Sequence, residues 1–151
     1  MSTVSVKTAS LANLESLAVL FNQYRQFYEQ NSDLALATEF IHQRLQNAES
    51  VILLAEDIQG KALEFCQLYP TFCSVEAKPI YSLYDLFVLP EHRLHGIGRA
   101  LLLNAESLAK RNGKSRMDLT TAKTNLKAQS VYESLGWKRD EIFYAYSKLI
   151  D

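Results

Sequence analysis

The chain has 151 residues, 48% of them apolar and 11% aromatic, which suffices for one sizeable core and is short for two. A formal net charge of −1 excludes a broad electrostatic attraction for a nucleic-acid backbone or an anionic membrane, so any anion site has to be local. The first residues, MSTVSVKTASLANLES, carry neither a basic start followed by an apolar block nor a cleavage-type ending, and no run of about eighteen apolar residues occurs, which points to a soluble cytoplasmic protein. Cys66 and Cys73 lack the close pairing of zinc or redox motifs; they read as reduced thiols, and no metal is expected.

Val4 and Val6 alternate with polar neighbours and predict a first strand, after which Ser10 is placed to cap a helix. Leu14, Leu17, Ala18, Phe21, Arg25 and Tyr28 recur at three- and four-residue steps and form its inner face. Beyond Asn31-Ser-Asp33, a second helix is predicted from about Thr38 to Ala48, and Val51–Ala55 reads as a short buried strand. Asp57–Gly60 is a turn, and Lys61–Tyr69 is the returning strand, with Ala62, Glu64, Cys66 and Leu68 on one face and Pro70 as its stop. Ile80–Val88, "IYSLYDLFV", is the clearest strand, ended by Pro90. A helix on Ile97, Leu101, Ala105 and Leu108 runs to Asn112-Gly113, Met117–Thr120 is a short strand, and Leu126–Leu135 is a last helix stopped by Gly136. The tail from Trp137 to Ile150 is strand-like, as one strand or two. This order predicts a mixed α/β fold with helices covering both faces of a sheet.

The segment "HRLHGIGRAL", His92–Leu101, lies between a strand and a helix. Unpaired N–H groups at a helix start attract an anion, glycine lets a phosphate approach the backbone, and Arg93 and Arg99 add charge at the rim. The two glycines alone fit a plain helix start equally well. Further along, Asn125 and Tyr132 are seven residues apart, with Ala128 between them on the same helix face, so a long ligand could touch both over roughly 10 Å.

Taken together, "LFVLPEH", R93-L-H-G96-I-G98 and N125-L-K-A128-Q-S-V-Y132-E-S-L-G136-W137 resemble the GNAT superfamily of N-acetyltransferases in residue types, order and spacing. The resemblance implies a central, mostly antiparallel sheet of about six or seven strands with a splayed parallel pair, flanked by about four helices, in a single domain over residues 1–151. It implies acetyl-coenzyme A as cofactor: the loop and helix start from Arg93, Leu94, His95, Gly96, Ile97, Gly98 and Arg99 to Ala100 would wrap the pyrophosphate, and the thioester would lie beside Leu86, Phe87 and Val88. The pantetheine arm would fill the gap between that strand and Met117–Thr120 as an added strand does. Asn125 and Ala128 would contact the arm and Tyr132 would approach the sulfur. Of assembly, the resemblance alone allows a homodimer.

An alkylammonium is neutral to only about 0.04% at pH 7, and only the neutral amine attacks a thioester, so a proton has to be removed. Asp85, beside the expected thioester, is the first candidate for amine contact and base, with Glu29 and Asp33 as alternatives. A strand N–H near Leu86 or Phe87 could stabilise the oxyanion, and Tyr132 is the candidate acid for the departing thiolate. Tyr28, Glu29, Tyr84 and Asp85 are the expected acceptor contacts; Tyr24, Phe27 and Tyr81 could also line that pocket, although Tyr24 and Tyr28 continue the core stripe of the first helix. His92 and His95 have no acidic third ligand nearby in sequence.

Two rival functions deserve weight. Gly96-Ile-Gly98 followed by Asp118 imitates a dinucleotide-binding fingerprint, but Leu89–His95 intervenes between strand and glycines, and too little chain follows for the remaining parallel strands. An acyl-coenzyme A binding module without turnover would keep the cleft, but would have no need of Tyr132. The expected function is therefore acetyl transfer to a primary amine of a small molecule or peptide, with no nucleic acid or membrane as partner.

Overall fold

Ser5–Thr8 forms strand β1 at one edge of a five-stranded sheet in the order β1-β2-β3-β4-β5. The computed structural model describes residues 4–93 and 96–151, and for Ile97 the backbone alone. Ser10 and Asn13 make a reciprocal capping box over the 3-10 turn Leu11–Asn13, from which helix α1, Leu14–Phe27, continues. Helix α2 spans Leu34–Gln46. Its start precedes the expected Thr38 because the Asp33 side chain accepts the Leu36 N–H and sets the cap there. The junction is held by Asn22 on α1, whose Oδ1 accepts the Asp33 N–H at 2.9 Å and whose Nδ2 donates to Ser32 at 3.0 Å.

Strands β2 (Val51–Glu56), β3 (Ala62–Cys73) and β4 (Lys78–Val88) are antiparallel neighbours. The turn between β2 and β3 is the expected Asp57–Gly60, with Gly60 at φ 82° and the Asp57 carboxylate accepting the Gln59 and Lys61 N–H groups. Pro70 does not stop β3, contrary to the sequence expectation. The ladder to β2 ends at Leu68, and Tyr81, opposite Pro70, sends its own N–H to Arg116 on its other side. Pro70 therefore sits on an edge at a position that asks for no donor.

Helix α3, Ile97–Arg111, follows a 3-10 turn at Pro90–His92 and ends at Asn112 and Gly113, the glycine at φ 72°. Strand β5, Met117–Asp118, then pairs with β4, the one parallel pair among the described residues. Phe65 on β3 meets Phe21 and Tyr24 of α1, whereas the opposite face of β3 carries Glu64 against Gly98 of α3, so helices cover both faces. Leu17, Ile41, Ile52, Leu54, Phe65, Leu68, Leu101 and Leu102 are fully buried between these layers. This antiparallel order excludes a doubly wound dinucleotide fold, and Asp118 is paired with Arg116 at 2.9 Å.

The chain divides into two compact units, a larger one up to Leu119 and a smaller one, Thr120–Asp151. The smaller unit contains α4, Leu126–Ser134, capped by Asn125 and ended by Gly136 at φ 94°. The strand expected of the tail does not form. Trp137–Ile150 forms no strand; it opens with a turn in which Asp140 Oδ1 accepts the Ile142 and Phe143 N–H groups, and Ile142, Phe143, Tyr144 and Tyr146 are exposed. Alternation gives a segment strand character only where a neighbouring strand takes its N–H and C=O groups. The described sheet thus has five strands, not six or seven. No helix of the described residues is long and apolar enough to cross a membrane.

Candidate active site

Strand β4 carries an irregularity where it matters. Gln67 faces Asp85 and Leu68 faces Leu83, so Tyr84 is an extra residue without a counterpart on β3. Such a bulge bends a strand and re-aims its side chains. On the other edge, β5 follows β4 only at Tyr81↔Met117 and Ser82↔Asp118. Beyond this point, from Leu83 to Val88, that edge of β4 has no strand partner among the described residues, so its backbone groups, apart from the Val88 carbonyl that the Arg93 side chain takes, can receive an extended ligand. Leu86, Phe87 and Val88, expected beside the thioester, all lie on this stretch.

Asp85 is only 7% exposed and faces α1. Gln67 Nε2 donates to its Oδ2 at 2.8 Å, and Ser50 Oγ donates to Gln67 Oε1 at 2.7 Å, which fixes the amide so that its NH₂ end points at the carboxylate. The Tyr24 hydroxyl lies close enough to favour the charged form as well. Burial outweighs both and holds the Asp85 carboxyl above the usual carboxylate range. Tyr24 is itself raised, first by burial and then by the Asp85 charge, and Tyr69 is pushed up to about 12 by the same two causes. Rings close the surroundings: Tyr28 meets Tyr24 edge-on at 5.2 Å, and the 70% exposed Tyr84 meets Tyr69 at 5.6 Å.

Of the expected acceptor contacts, Asp85, Tyr84 and Tyr28 thus belong to one neighbourhood. Glu29 is exposed at the end of α1 with φ 65°, and Asp33 is occupied as the α2 cap. Next to them, a groove of about 500 Å³ is lined by Gln23, Gln26, Phe27, Phe87, Leu89, Pro90, Glu91 and Arg93. Arg93 is engaged there: its Nε donates to the Val88 carbonyl at 3.1 Å, and its guanidinium lies over Phe27 and Phe87 at 5.1 and 5.8 Å.

Helix α3 starts from Gly96 in the left-handed conformation, φ 75° and ψ 5°, with no side-chain cap. The Ala100 N–H bonds back to the Gly96 carbonyl, and the N–H groups of Ile97 and Gly98 open the first turn with no helical partner among the described residues. Among the described residues nothing would meet a Cβ at Gly96 within 4 Å. The backbone fits an anionic group such as a diphosphate. Arg99 is exposed on this turn and Ala100 half-buried. Leu94, His95 and the Ile97 side chain, expected in the same loop, lie outside the described residues. In the smaller unit Asn125 Oδ1 accepts the Ala128 N–H at 3.2 Å, and Tyr132 is half-buried with its ring 6.1 Å from that of Trp137.

The acetyltransferase (GNAT) family model matches residues 14–137. The chain belongs to the GNAT acetyltransferase family. An uncharacterised N-acetyltransferase, YhfO of Bacillus subtilis (strain 168), is 46% identical over 143 residues, covering 95% of each chain. A crystal structure of a probable acetyltransferase superposes with a TM-score of 0.91 at 38% identity, over 97% of this chain and 98% of that one. At 20% identity the fold is shared with aminoglycoside N-acetyltransferase AAC(6')-Iy in complex with CoA, with a TM-score of 0.81 over 98% and 96% of the two chains. The protein is accordingly an N-acetyltransferase of the GNAT family.

Two residues of this GNAT chain escaped sequence reasoning. Gln67 is fully buried in the run Phe65-Cys66-Gln67-Leu68, and an amide in such a run has to find partners, which was the available signal. Glu64 is fully buried too, and neither of its carboxyl oxygens has a hydrogen-bond partner among the described residues. Burial raises it from 4.5 to about 8.

Proposed function

We propose that this GNAT enzyme transfers an acetyl group from acetyl-coenzyme A to a primary amine of a small molecule or peptide, by direct attack on the thioester, within one N-acetyltransferase domain. The observation that carries this reading is the buried Asp85 carboxylate, held by Gln67 on the bulged stretch of β4 whose edge is open. When bound, acetyl-coenzyme A supplies the activated acetyl group. Asp85 binds the ammonium and takes its proton on a carboxylate oxygen; its raised pKa brings it closer to neutrality and makes it a better base than a solvated aspartate. The β4 backbone N–H of Leu86, which the register turns to the open edge, stabilises the oxygen that gains charge. Tyr132 donates its phenolic proton to the departing sulfur, and Asn125 and Ala128 line the arm, roles that rest on the motif resemblance. Tyr84 and Tyr28 supply ring faces for the acceptor. A homodimer belongs to the same proposal on resemblance alone.

The relatives lend support at two points. A structure of similar fold is named as an aminoglycoside N-acetyltransferase and is a complex with CoA. The test is release of free thiol from acetyl-coenzyme A across a panel of primary amines; binding of the cofactor without turnover or hydrolysis on a broad panel would favour a sensing module.

Asp85→Asn is expected to lower kcat/KM for the amine by about 10²-fold while acetyl-coenzyme A affinity stays within about twofold, because the charge is lost and the shape kept. Equal turnover at limiting and saturating amine would remove Asp85 from the acceptor site. Gly96→Glu places a negative charge where the pyrophosphate approaches, and a side chain on a left-handed residue costs only about 1–2 kcal/mol locally. The variant should fold and lose acetyl-coenzyme A affinity by about 10²-fold or more by calorimetry; unchanged affinity in a folded variant would move the cofactor elsewhere.

A further inference from the structure

We infer that Glu64 is a positioning residue for the cofactor: its buried carboxyl admits a diphosphate to the first turn of α3 only while it carries a proton, which it takes from solvent. The inference rests on the placement of acetyl-coenzyme A at that turn proposed above. Glu64 is fully buried, both its oxygens lack partners among the described residues, and its Oε1 lies 3.4 Å from where a Cβ on Gly98 would stand. Gly98 is the second glycine of the loop motif, so the carboxyl packs directly against the backbone expected to meet the pyrophosphate. An ionised carboxylate there would repel the diphosphate through a medium poor in water, whereas the neutral acid would not.

Among the described residues no counter-charge faces this carboxyl. On its own face of β3 the nearest titratable group is the Cys66 thiol, itself driven up by burial and by Glu64. Across β2 stands Ala55, across β4 Val88, and on α3 Gly98. Arg93 is held over Phe27 and Phe87 on the opposite face of the sheet, Asp85 also faces that side, and Arg99 is exposed. Burial alone accounts for the rise of Glu64 to about 8, and the charge of a bound diphosphate would raise it further. Proton uptake and cofactor binding are then linked: each favours the other by the same factor.

The experiment measures the Kd of acetyl-coenzyme A by calorimetry from pH 7.5 to 9.5, a range in which a phosphate monoester, with a pKa of about 6, no longer titrates. Wild type should weaken about tenfold between pH 7.5 and 9 and take up nearly one proton per cofactor at pH 9, read from two buffers of different ionisation heat. Glu64→Gln, neutral at every pH and of the same shape, should bind at pH 7.5 like wild type and show neither effect. A flat wild-type profile, a Gln variant that keeps the pH dependence, or a folded Gln variant unable to bind at pH 7.5 would overturn the inference. Should the variant not fold, proton uptake by wild type decides alone, its absence counting against Glu64. Failure of wild type to bind acetyl-coenzyme A at any pH would overturn the cofactor placement and this inference with it, whereas binding without proton linkage sinks the inference only.

Discussion

Tyr132→Phe is expected to lower kcat by about 10²-fold or more while leaving cofactor affinity and the thermal midpoint nearly unchanged. The substitution keeps the ring, and with it the packing 6.1 Å from Trp137 on a half-buried position, and removes one proton. A catalytic step that uses that proton should respond in kcat. The departing thiol limits the effect, since with a pKa of about 8.5 it can leave as an anion and take a proton from water. The comparison therefore needs kcat, Kd for acetyl-coenzyme A and thermal midpoint on both proteins with one acceptor. A variant that loses stability and retains full kcat would make Tyr132 a packing residue of α4, and the proton for the sulfur would have to come from another donor or from water.

Glu64→Gln is expected to be more stable than wild type at pH 9 and close to it at pH 4.5. In the folded chain Glu64 holds its proton up to about pH 8, whereas the free side chain releases it near 4.5. Between those values the folded state binds more protons than the unfolded one, so rising pH favours unfolding. The contribution is fully present below the unfolded pKa and lost as pH rises through the folded one. Each pKa unit is worth about 1.4 kcal/mol, so the difference between the two proteins should grow to several kcal/mol. Urea midpoints at pH 4.5, 7 and 9 measure it directly. Asp85, raised in the same direction, is common to both proteins and cancels in the difference. Parallel pH profiles would mean that the carboxyl is solvated or paired in the folded chain, and the proton-linked cofactor site would lose its physical basis.

The features that sequence determined by itself are those set within a few residues of chain. Gly96, Gly113 and Gly136 all lie at positive φ, which a glycine adopts without a Cβ penalty, and each stands where the helix periodicity changes. Ser10 and Asn125 cap the turns they precede because the N–H groups they satisfy are two or three residues away. The GNAT motif is legible for the same reason, since its glycines and helix faces are local. What only tertiary structure decided was register and the neighbours that register creates. Gln67 meets Asp85, eighteen residues away, because β3 and β4 are in one alignment up to the bulge at Tyr84; a slip by one residue would turn one of the two side chains to the other face. Pro70 lies inside a strand because β2 ends before it, and Glu64 faces Gly98 because α3 crosses that face of the sheet. The tail shows the converse, since its alternation predicts a strand but its backbone N–H and C=O groups join no ladder. Periodicity and caps act through adjacent backbone groups, whereas burial, pKa and cross-strand contacts are set by packing between segments far apart in the chain, which no local pattern records.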